Sequence, residues 1–126
     1  MKAEELKKRT KEFAHNCVAI AVKLPNSYLG NHIKGQLIRC STSVAANYRA
    51  ACRAQTKPVF IDKLRIVIEE ADESNFWLEF IIDEQLLSKV EIELLLKESD
   101  ELVAIFVASR RTATGVSEKA NLQSAI

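Results

Sequence analysis

Lys34, Arg39, Arg49 and Arg53 are the side chains of this sequence best suited to a chemical task, and that task is holding phosphate. They lie between Phe13 and Ile61, a stretch with six Lys and Arg and no Asp or Glu. Placed on a helix at about 100° per residue, the four share an arc of ~140°. That arc lies opposite an apolar stripe of Ile33, Leu37, Val44 and Tyr48. A guanidinium forks onto phosphate oxygens, and each neutralised phosphate releases counterions. The next block, Asp62 to Glu101, carries thirteen acids against four cations, a net −9. Pairing of the basic segment with this acidic one is the plainer use of the same cations, and the two uses are compatible.

Other chemistry finds little support. His15 and Cys17 are two apart, so on a helix they face different ways, and His32 sits near a helix start. There is no H-E-x-x-H, C-x-x-C or Glu-x-x-His pattern, hence no expected metal site. Nucleophilic catalysis needs a Cys or Ser with a base in reach, and neither His offers one in sequence. No glycine-rich phosphate loop is present, and no cofactor is expected. The run Glu69-Glu-Ala-Asp-Glu73 reads as a solvated face or as partners for the basic helix. Asn47 and Asn75 border or enter apolar stripes, so each is expected to hydrogen-bond across the helices. The chain is read as a non-enzyme.

A second surface is apolar. Ile66, Phe76, Trp77 and Phe80 fall away from the Leu64–Ala71–Ile82 line of their helix. Large aromatics outside the core stripe mark an interface, here one for self-association. Ala45, Ala46, Ala50 and Ala54 are small enough to let another helix approach the second segment.

Four periodic segments must position these residues. They run from about Glu4 to Leu24, His32 to Ala54, Pro58 to Glu84, and from Ser88 to about Thr112. Pro25 stops the first, and Asn26 to Asn31 reads as a connection. Thr56 is a plausible N-cap with Pro58 in the first turn. Ser88-Lys-Val-Glu91 has the capping-box spacing, and Gly115 is a natural stop. Short connections predict an all-α, antiparallel up-down four-helix bundle over residues 1–112, with a flexible tail over 113–126. One domain suits 126 residues, and three Gly and two Pro are too few for a many-stranded sandwich. Hydrophobic residues at 48 % and charged residues at 28 % exclude disorder and membrane classes. Three cysteines outside any paired motif, with neither a signal peptide nor a membrane span in the sequence, suit a reduced cytoplasmic protein.

The second segment, Gln36-Leu-Ile-Arg39-Cys-Ser-Thr-Ser43-Val-Ala-Ala-Asn47-Tyr-Arg-Ala-Ala51-Cys-Arg-Ala54, resembles the signature of the bacterial four helix bundle protein family. This is also the large-subunit ribosomal RNA intervening-sequence protein family. The likeness extends through Arg9 to Ala14, Leu24-Pro25, Phe60 to Leu64, Glu70 to Glu73 and Trp77-Leu-Glu79, roughly residues 6 to 110. It implies an antiparallel bundle assembling as a ring-shaped homopentamer, without established catalytic residues. A related group is the accessory variability determinant of diversity-generating retroelements, which binds nucleic acid and a reverse transcriptase. By this resemblance a reverse transcriptase or another protein joins the candidate partners. The combined expectation is a homo-oligomer that binds structured RNA or DNA through the second-helix cations. A protein-interaction scaffold without a nucleic-acid ligand is the alternative.

Overall fold

The computed structural model describes residues 1–115 and folds them into four helices: α1 (Ala3–Ala21), α2 (Tyr28–Cys52), α3 (Lys57–Asp83) and α4 (Lys89–Thr114). Each buries one stripe. Leu6, Phe13, Cys17 and Ile20 come from α1, and Ile33, Leu37, Cys40, Val44 and Tyr48 from α2. Leu64, Val67, Ala71, Leu78 and Ile81 come from α3, and Ile92, Leu95, Leu102 and Phe106 from α4. The predicted all-α bundle is thereby observed, with neighbours antiparallel. The helices pack α1 on α2, α2 on α3 and α3 on α4, and the α1–α4 seam that closes the square is the sparsest. Tyr48 and Phe106 meet across the centre, ring centroids 5.0 Å apart.

Polar groups inside the bundle are paired locally. The Thr10 hydroxyl donates to Leu6 O at 2.9 Å, Ser74 to Glu70 O at 2.8 Å, and Ser99 to Leu96 O at 2.8 Å. Among the described residues no buried side-chain nitrogen or oxygen lacks a partner. Such small polar residues let helices approach closely without an unsatisfied group.

Helix ends follow their capping chemistry. Thr56 accepts the Val59 N–H at 3.3 Å, as its sequence predicts. The Ser88 N–H donates to Glu91 Oε2 at 3.2 Å, and the Ser88 hydroxyl donates to the same oxygen at 3.1 Å. Gly115 closes α4 in the left-handed region (φ 70°). Two boundaries differ from the periodicity. α1 ends at Ala21, three residues short of Leu24, because Pro25 disfavours the helical conformation before it. α2 begins at Tyr28 rather than His32, because Ser27 accepts the Gly30 N–H at 3.0 Å and turns Tyr28 to Asn31 into a first helical turn. α4 continues through Thr114, and the rest of the expected tail, residues 116–126, lies outside the described residues. No helix among the described residues is long and apolar enough to cross a membrane.

Candidate nucleic-acid interface

The antiparallel order puts the start of α1 beside the end of α2. Between them runs a groove of ≈ 820 Å³. Its floor is Ala14, Val18, Ala45 and Ala46, and its rim carries Lys7, Lys8, Lys11, His15 and Arg49, with Glu4 opposing. The small residues expected to admit another helix thus leave an open trough, through Ala45 and Ala46. Lys7 pairs with Glu4 at 2.9 Å within its own helix. Lys8, Lys11 and Arg49 form no ion pair among the described residues.

The four cations singled out on α2 therefore part company. Arg49 enters the groove. Arg39 turns to α3, where its guanidinium meets Glu70 at 3.1 Å and also Glu73. The acid-free face expected of α2 is thus neutralised at Arg39 by the neighbouring helix. Arg53 is exposed and Lys34 half-buried, and neither is ion-paired among the described residues. Lys7, Lys8 and Lys11 were missed in the sequence because Glu4, Glu5 and Glu12 are interleaved with them. The available signal was the one-turn spacing of Lys7 and Lys11.

Cutting the bundle near its middle finds the cations gathered toward one end. Cys17 lies level with Ser41, and Cys40 with Ser74. With Asn75 meeting Ser99, the half holding residues 1–16, 41–73 and 100–115 carries twelve Lys and Arg against ten Asp and Glu, a net +2. The half holding residues 17–40 and 74–99 carries five against six, a net −1. Arg110 and Arg111 join the basic half, lining a smaller groove of ≈ 420 Å³ between α3 and α4. Arg65, in the same groove, is held by Glu69 at 2.9 Å and Asp62 at 3.3 Å.

The aromatics of the predicted apolar surface, Phe76, Trp77 and Phe80, lie in the other, acidic half, whereas Ile66 falls in the basic one. Phe76 stands 51 % exposed, while Trp77, Phe80 and Ile66 are half-buried. Phe76, Trp77 and Phe80 cluster with centroids 4.9–5.9 Å apart, and His32 of α2 meets Trp77 edge-on at 5.6 Å. Asn75 bonds across the bundle as expected, donating to Ser99 Oγ at 2.8 Å and Asp100 Oδ1 at 3.1 Å. Asn47 does not. Its amide donates to Ser43 O and Oγ one turn back, at 3.0 and 2.8 Å, because a serine at i−4 satisfies it locally.

Among the described residues the reactive groups do not converge. His15 is exposed while Cys17 is buried, and burial pushes the Cys17 thiol up. Burial raises Cys40 to about 11, partly offset by the Ser74 hydroxyl bonded to its sulfur. Both stay protonated and poorly nucleophilic near neutral pH. Glu69, Glu70 and Glu73 are engaged with arginines, and among the described residues no three His, Cys, Asp or Glu gather as metal ligands.

The described family of 23S rRNA-intervening sequence proteins matches residues 2–108. The chain belongs to that family. The match spans the groove cations and the aromatic cluster and stops before Arg110. A crystal structure from Bacteroides thetaiotaomicron VPI-5482, described as a protein of unknown function from the S23 ribosomal protein family, superposes with a TM-score of 0.78. The two are 30 % identical, over 83 % of this chain and 97 % of that one. No curated protein matches. The resemblance seen in the residues of α2 is thus a family membership, carried on a shared four-helix fold.

Proposed function

We propose that this protein is a non-enzymatic, self-associating helical bundle that binds nucleic acid through the basic half of its surface. The observation that carries the reading is the α1–α2 groove, where Lys7, Lys8, Lys11 and Arg49 line one trough at the net-positive end. The residues in it contact phosphate and specify no base, so binding is broad in sequence and falls as salt rises. Arg49→Glu with Lys11→Glu should reduce affinity for a structured RNA at least tenfold and flatten the salt dependence, with the fold retained by circular dichroism. Affinity unchanged by both substitutions and by salt would end the reading.

Self-association is assigned to the Phe76–Trp77–Phe80 cluster, which leaves the basic half clear. Phe76→Ser with Phe80→Ser should lower the mass seen by light scattering. A protein-interaction scaffold is the second reading, favoured by the neutralisation of Arg39 by Glu70 and Glu73. Recovery of a protein partner after nuclease treatment, with no nucleic acid bound beforehand, would select it.

A further inference from the structure

We infer that the nucleic acid taken by the basic half is double-helical and that single strands are poor ligands. The inference rests on the nucleic-acid reading above and adds the ligand's form. Its ground is that rings and cations occupy opposite ends of the molecule.

All eight Phe, Tyr and Trp residues can be placed. Tyr28, Phe76, Trp77 and Phe80, the four with rings at the acidic end, are exposed or half-buried. Around them on α3 stand Glu73, Glu79 and Asp83, and Glu73 accepts from the Trp77 indole N–H at 3.4 Å. At the basic end Phe13, Tyr48 and Phe106 are buried, and Phe60 packs half-buried against the core. The groove itself exposes one ring, the imidazole of His15. Its floor is alanine and valine, and Thr42 is its one neutral polar side chain.

Single-strand binders gain about 1–3 kcal/mol per base by stacking on aromatics interleaved with cations. Among the described residues no Phe, Tyr or Trp platform lies beside these lysines, and the rings of α3 stand among carboxylates that repel a phosphate chain. A surface of cations alone works by counterion release, which is larger on a duplex: the salt slope is about 0.9 per contact, against about 0.7 on a single strand. The layout also suits a ridge of phosphates. Lys7 and Lys11 sit one turn apart, about 6 Å along α1, and Arg49 faces them across helices packed about 8–10 Å apart. A row of lysines on α1 and Arg49 on α2 thus flank one strand of a duplex while the bases stay stacked inside it.

The test is fluorescence anisotropy with end-labelled 24-nucleotide probes: an RNA duplex, a DNA duplex, oligo-uridine and oligo-thymidine, each at two salt concentrations. Intrinsic emission of Trp77, the sole tryptophan, is followed in parallel. The expected result is duplex binding at least tenfold tighter than either single strand, with the steeper salt slope. Trp77 emission stays unchanged at saturation, and Lys11→Glu with Arg49→Glu removes the binding. Single strands binding as tightly as duplexes, or quenching Trp77, would overturn this inference and leave the nucleic-acid reading standing. No binding of any probe at low salt would overturn both.

Discussion

Arg9 shows what one side chain can do at the weakest seam of the bundle. Its Nε and Nη2 fork onto both oxygens of Glu98 at 2.7 and 2.6 Å, and Nη2 also reaches Glu101 at 2.7 Å. The hydrogen bond to Glu98 holds its proton even more firmly than arginine ordinarily does. This is the principal polar tie between α1 and α4, which otherwise share the least packing. Arginine and Glu98 are each about three-quarters buried, at 24 % and 26 % exposure, so the pair is partly shielded from solvent. Arg9→Met should cost about 1–3 kcal/mol in urea unfolding, because it strands two carboxylates beside the seam. Arg9→Lys should recover only part of that, since an ammonium cannot fork. Nothing in the order of residues foretells this pairing. Arg9 and Glu98 lie 89 positions apart, and each is surrounded by like alternatives such as Lys8 and Glu101.

At the scale of the elements, the connections decide as much as the stripes. Gly30 is buried in the first turn of α2, and a Cβ there would run into the Pro25 carbonyl oxygen. Gly30→Ala should therefore lower stability by about 1–3 kcal/mol by thermal melting. Gly35→Ala, one turn and a half further on with nothing within 4 Å, should raise it by up to about 1 kcal/mol. The start of α4 carries a pH dependence. The Ser88 N–H and hydroxyl, and then Lys23, lower the proton affinity of Glu91. Its folded-state pKa lies below the unfolded one, so the unfolded chain takes the proton first as pH falls. The contribution is complete above the ordinary glutamate range and fades through acid pH. Glu91→Gln should remove that part of the acid loss in melts followed across pH. Caps were the most legible feature in the residues, as Thr56, Ser88 and Gly115 show. The Ser27 cap was equally present, but Gly30 and Asn31 just after it resemble loop residues, and they disguised a helical turn. Asn47 was misjudged for a similar reason: a local partner, Ser43, outcompeted the distant one.

Taken whole, the molecule rearranges a linear charge pattern. Along the chain, the basic second helix precedes the acidic third and fourth. Folding the helices back and forth cuts each block in two and regroups the pieces by end. The lysines of α1, the late arginines of α2 and the final pair of α4 come to lie at one end, in two grooves. Period and capping made four helices readable, and the family signature in α2 agreed with them. The basic end was not readable, because it depends on which halves of four helices lie level. The aromatic cluster was, because Phe76, Trp77 and Phe80 share one helix. Arg39 was the reverse case, correctly placed on its helix but turned by packing toward Glu70 and Glu73.

The crowding of cations toward one end of the long axis gives each copy a permanent electric moment. In the field of any strong polyelectrolyte such a body is rotated before it arrives, which shortens the orientational search and raises the encounter rate at low ionic strength. Copies landing on one track would all stand the same way up, presenting Tyr28 and Phe76 at a common height above it.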